Sequence, residues 1–86
     1  MDAREFGQRV YRLRMARKWT QVACATRAGI SIGTMQMIEA YKVRPTVETV
    51  GKLAVAFRCS WEDLLGHPSG RVSFEKHVRG IGLNRG

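Results

Sequence analysis

The sequence predicts an all-α fold of five short helices, and three observations carry that expectation. Small polar residues stand just ahead of each helix-periodic apolar run, glycine and proline interrupt the pattern between runs, and residues 1–66 show no strand-like alternation. In the first run, Phe6, Val10, Leu13 and Arg17 recur at helical intervals behind Asp2 and Glu5, which have capping-box spacing. Helix one is therefore expected over about residues 3–17. Thr20 and Ser31 are hydroxyl residues whose oxygens can accept from orphan amides of a first turn, which places helices over Gln21 to about Ala28 and Ile32 to about Tyr41. Gly29 between them can take the left-handed conformation that ends one helix and redirects the chain.

Pro45 blocks any continuation of the third helix, and Thr46 can cap a fourth carrying Val47, Val50, Leu53, Ala54 and Phe57. A shorter fifth helix follows Ser60 with Trp61, Leu64 and Leu65, its Glu62 and Asp63 near the positive end of the helix dipole. Two capped helices joined by a tight turn, Thr20 to Glu39, are the layout of a helix-turn-helix, in which the second helix projects from the surface.

At 86 residues and a formal net charge of +8, the chain has room for one small domain with a modest core and favours a polyanionic partner. A membrane-surface role needs a wide unburied apolar helix face, whereas the apolar positions here are committed to a core. No apolar run reaches the roughly 18 residues of a membrane span, and the first ten residues lack a signal-peptide core, so a soluble, cytoplasmic protein is expected. Cys24 and Cys59 have no CxxC neighbour and read as reduced, buried hydrophobes, while His67 and His77 lie in the tail; no metal site or cofactor is expected. Paired carboxylates, a Ser/His/Asp set and a glycine-rich phosphate loop are all missing from the sequence, which argues against an enzyme.

Residues 67–86 are rich in glycine and basic residues, with one short stretch, Ser73 to Val78, able to form a helical turn or two. The expected organisation is a domain over 1–66 and a basic extension over 67–86. In the extension Arg71, Lys76, Arg79 and Arg85 are candidates for phosphate contact, and Val72, Phe74, Val78 and Ile81 for packing on helix five or a second subunit; a flexible tail is the alternative.

The order Thr20-Gln21, Ala25, Gly29-Ile30-Ser31, Thr34, Ile38-Glu39, Pro45-Thr46, Leu53-Ala54 and Asp63-Leu64-Leu65 resembles the XRE family, the Cro/cI-type domains of phage repressors, over roughly residues 4–66. The resemblance implies a compact lambda-repressor-like five-helix domain whose third helix enters the DNA major groove. It implies that Gln21 grips a phosphate, that Ile32, Gly33, Thr34, Gln36 and Met37 face bases, and that Arg14 pairs with Glu39 to tie helices one and three. Met35, Ile38 and Cys24 fall at family core positions. Arg9, Arg12, Lys42 and Arg44 are further candidates for phosphates.

The chain departs from the family in two places. The base-reading positions are mostly apolar, so hydrogen-bonded readout is thin: Thr34 and Gln36 can donate or accept, while Ile32 and Met37 can touch thymine methyls. Tyr41 replaces the glycine that commonly ends the recognition helix, which predicts a different helix end and a hydroxyl free to reach a phosphate. The function expected is a sequence-specific DNA-binding transcriptional regulator, bacterial or phage, acting as a homodimer on a two-fold symmetric operator, with Trp61, Val72, Phe74 and Val78 at the dimer interface. The alternative is a protein-interaction module, such as an antitoxin, that uses the same fold.

Overall fold

The computed structural model describes residues 2–66, which form five helices: α1 Ala3–Ala16, α2 Gln21–Ala28, α3 Ile32–Glu39, α4 Val47–Phe57 and α5 Trp61–Leu65. Each begins on a polar cap. The side chains of Asp2, Thr20, Ser31, Thr46 and Ser60 accept from the amides of Glu5, Ala23, Thr34, Thr49 and Asp63, at 2.8 to 3.1 Å. Every helix thus satisfies one of its orphan donors by local sequence. The reciprocal capping box forms at α5, where Asp63 also accepts the Ser60 amide at 3.0 Å. At α1, Glu5 instead turns to Arg9 one turn later, at 3.5 Å.

The first four helices end alike. The amides of Gly29 and Ile30 bond back to the carbonyls of Thr26 and Ala25, a Schellman closure with Gly29 at φ 73°. The same paired bonds close α1 around Lys18, α3 around Tyr41 and α4 around Arg58, at φ 58°, 63° and 55°. Tyr41 therefore does not end α3 differently from a glycine. The helix stops at Glu39 with Ala40 as cap, two residues before the expected end, and tyrosine adopts the left-handed conformation itself.

Helix α1 lies against α3 and α5, α2 against α3 and α4, and α4 against α5. The core they enclose contains Phe6, Val10, Cys24, Met35, Ile38, Val50, Leu53, Phe57 and Leu64, all at 2% exposure or less. Leu13 and Cys59 are only partly buried beside it. Val47, expected on the apolar face of α4, is 78% exposed. It is in helical phase with Val50, Ala54 and Phe57 but stands at the first position of the helix, past the end of the stripe that is buried.

One structural cluster had no counterpart in the sequence reading. The rings of Trp19 and Phe57 stack at 5.7 Å, and the Arg17 guanidinium lies 5.0 Å from the Phe57 ring centroid. Arg17 donates to the carbonyl of Leu13 at 2.9 Å and to that of Phe57. It thereby serves the C-terminal ends of α1 and α4 together, where a cation also suits both helix dipoles. Arg27 covers Trp19 at 4.7 Å.

Candidate nucleic-acid interface

Where α2 starts and α3 ends, one buried carboxylate organises three elements. Glu39 accepts from Arg14 Nε at 2.7 Å and Nη2 at 2.8 Å, a bidentate pair, and from Gln21 Nε2 at 3.0 Å. The remaining Arg14 amine, Nη1, donates to the Trp19 carbonyl at 2.8 Å. Both charged side chains are about nine-tenths buried, at 10% and 8% exposure. The bond to Glu39 raises the Arg14 pKa above its ordinary value, against the opposing effect of burial, so the guanidinium stays charged. Cys24 lies fully buried nearby, and loss of solvent first and the Glu39 charge second push its thiol up to about 11.

The clamp has a consequence for Gln21. Because one amide hydrogen is held by Glu39, the carboxamide is oriented before any ligand arrives, and its second hydrogen remains available. A cleft lined by Tyr11, Arg14, Gln21, Gln36, Glu39, Ala40 and Tyr41 opens over the pair. Two phenols and two carboxamides therefore meet around a neutralised ion pair.

Tyr11 was not among the residues expected here. It precedes Arg14 by three positions, so helical spacing places it on the same face, and its ring lies 5.4 Å from the guanidinium. That spacing is the available signal, once Arg14 of α1 is taken to face Glu39 of α3.

The other nominated residues separate into groups. Ile32, Gly33, Gln36 and Met37 are exposed along α3, and Thr34 is partly exposed. Met35 and Ile38 are buried. Lys42 and Arg44 are exposed in the loop after α3, and neither makes an ion pair among the described residues. Arg9 and Arg12 do not join them. Both border a different groove with Leu13, Glu62 and Asp63, where α1 faces the acidic start of α5.

Trp61, 44% exposed, lies beside Gly51 on α4 and lines a groove with Arg44, Pro45, Val47, Val50 and Leu65. Its proposed companions Val72, Phe74 and Val78, like the basic residues of the extension and both histidines, lie outside the described residues. No described helix is long and apolar enough to cross a membrane.

Five helices with a capped, surface-projecting pair at their centre define a helix-turn-helix domain. The helix-turn-helix family model matches residues 10–64, which is most of the chain, and the protein belongs to that family, the XRE-type, Cro/cI-like helix-turn-helix proteins. It is a DNA-binding regulator of the helix-turn-helix kind. No curated protein and no solved structure matches the chain.

Proposed function

We propose that the protein is a sequence-specific transcriptional regulator, bacterial or phage in origin, that acts in the cytoplasm and binds a two-fold symmetric operator as a homodimer. Helix α3 enters the major groove with Ile32, Gly33, Thr34, Gln36 and Met37 toward the bases. Gln21, Tyr41, Lys42 and Arg44 hold phosphates, joined by Tyr11 at the cleft. Arg9 and Arg12 are left out of this set because they face carboxylates of α5.

The observation that carries the reading is the Arg14–Glu39–Gln21 clamp. It fixes the start of α2 to the end of α3, so a phosphate donor and the base-facing helix keep one relative geometry. A buried ion pair contributes little net stability but holds geometry well, which suits a surface that must match a rigid duplex.

A homodimer is supported by arithmetic and by Trp61. One recognition helix meets too few base pairs for a specific site, whereas two set one helical turn apart, about 34 Å, roughly double the discriminating free energy. In this proposal residues 1–66 are the DNA-binding domain and 67–86 a basic extension. Trp61 anchors the interface with Val72, Phe74 and Val78 of that extension.

Selection from a random duplex library followed by a salt titration tests the DNA claim. An enriched two-fold symmetric sequence is expected, with affinity that falls steeply as salt rises. A flat salt dependence on that sequence would remove the phosphate set. Sedimentation of the intact chain and of a form ending at Gly66 tests the dimer, since a monomer in both, well above the operator affinity, rules it out.

A further inference from the structure

Where α1, α2 and α4 end, a groove is lined by three arginines, Arg17, Arg27 and Arg58, together with Trp19, Val55 and Ala56, and by no carboxylate. Other cationic places on the domain carry their own acids. Arg9 and Arg12 share a groove with Glu62 and Asp63, the cleft at Arg14 holds Glu39, and Lys52 of α4 is paired with Glu48 at 3.1 Å. In the three-arginine groove only Arg17 is committed, to the carbonyls of Leu13 and Phe57. Arg27 and Arg58 are exposed, and neither makes a hydrogen bond or an ion pair among the described residues. Arg27 is nevertheless held in place. Its guanidinium lies over the Trp19 ring, which in turn stacks on the buried Phe57. Contact with a ring face uses none of the N–H groups, so the fork that matches the two oxygens of a carboxylate stays free and oriented. Val55, three residues before Arg58, is 78% exposed and outside the core.

We infer that this groove binds an acidic segment of another protein, in which two carboxylates meet Arg27 and Arg58 and an apolar side chain covers Val55 and Ala56. Charge complementarity selects an anion, and the exposed valine selects a protein. A duplex offers phosphates to the arginines but brings no apolar side chain to Val55. A second copy is disfavoured by its own net charge of +8. The groove is also separate from the surface assigned to DNA, because α3 and the loop after it contribute nothing to its lining. Arg27 stands six positions from Gln21 on α2, which sets the two side chains about 120° apart around the helix. The inference therefore stands whether or not α3 meets an operator.

The test selects binders for the full chain from a library of random short peptides and maps them by NMR on the labelled, unaltered protein. Enriched peptides are expected to carry Asp or Glu on both sides of an apolar residue. They should shift the Trp19 indole, Arg27 Nε–H and Val55 methyl signals and leave those of Gln21 and Met37 in place. Exchanging the acids of a selected peptide for their amides should weaken binding about tenfold or more, a comparison that needs no protein variant to fold. Arg27→Gln should cost as much, and Val55→Ala about tenfold for the methyl groups it removes. Peptides enriched without acids, shifts that fall on α3 in place of the groove, or a library that yields no binder each overturn the inference. A duplex that shifts the same three residues and displaces the peptide makes the groove a phosphate contact, and groove signals that move with protein concentration alone make it a contact between copies. Either result overturns the inference too, and none of these outcomes bears on the operator selection above.

Discussion

Gly7 of α1 and Tyr41, in the turn that follows α3, share one contact that depends on both residues. A Cβ built on Gly7 would stand 2.7 Å from Tyr41 Cδ1 and would also strike the Ile38 carbonyl oxygen. Tyr41 reaches this place because its backbone takes φ 63°. The steric cost of that conformation, about 1–2 kcal/mol for a residue with a side chain, is offset by laying the ring over the one position of α1 that has none. The same ring lines the cleft above the Arg14–Glu39 pair, so the contact also places a phenol at the candidate interface.

Gly7→Ala is expected to destabilise the domain, although alanine is the better helix former by about 1 kcal/mol. Overpacking typically costs about 1–3 kcal/mol, and two clashes at once place this site at the upper end. Thermal unfolding should show a net loss of roughly 1–2 kcal/mol by that difference. In a Tyr41→Gly background part of the clash is gone and the loss should shrink. An equal loss in both backgrounds would show that the Ile38 carbonyl alone sets the constraint.

Lys18 and Arg58 hold the same strained backbone as Tyr41 without a ring contact to offset it. Lys18→Gly and Arg58→Gly should each raise stability, by about 0.5–1 kcal/mol, because glycine adopts the left-handed conformation freely. Tyr41→Gly should gain less or lose, as it uncovers Gly7. Denaturant midpoints for the three variants check the ordering, and a gain at Tyr41 as large as the other two would contradict the role given to its ring.

Breaking the Arg14–Glu39 pair on one side leaves a buried charge without its partner. Arg14→Ala and Glu39→Ala are each expected to cost about 3–5 kcal/mol, and the double variant far less than their sum. Gln21 depends on the same carboxylate, so Glu39→Gln should weaken DNA binding even where the fold survives. Additive stability effects in the double-mutant cycle would show that the two residues act independently.

Alkaline pH should destabilise the domain through Cys24. Its folded pKa is raised from an ordinary value of 9.0 to about 11, because the buried thiolate is desolvated and faces Glu39. Below pH 9 the thiol is protonated in both states and its contribution is fully present. As pH rises toward 11 the unfolded chain releases the proton and the folded one does not, so stability falls through that window. Cys24→Ala should flatten the decline, and a thiol reagent should modify Cys24 only at the rate of opening. Rapid labelling at neutral pH would place the sulfur at the surface instead.

Much of the architecture was legible in local sequence because its causes are local. A cap needs only a side-chain oxygen three residues ahead of the amide it accepts, and all five caps were visible as Asp2, Thr20, Ser31, Thr46 and Ser60. The buried stripe of α4 follows from spacing along one helix, with Val47 the exception at its end. The pairing of Arg14 with Glu39 was legible only through family resemblance, since no rule of spacing links positions 25 residues apart.

What the tertiary structure alone decided are the contacts between side chains on different helices. Arg9, Arg12, Arg14 and Arg17 are alike in sequence, yet Arg9 and Arg12 face the acids of α5, Arg14 enters the clamp with Glu39 and Gln21, and Arg17 closes the carbonyl ends of α1 and α4. Helical phase puts Arg9 and Arg12 on one side of α1 and Arg14 and Arg17 on the other, but charge and phase do not say what each meets, because that depends on what another helix presents there. The left-handed turns at Lys18, Tyr41 and Arg58 are of the same kind. Their strain contradicts local preference, and the structure keeps it because the helices on either side must turn there to bury their apolar faces.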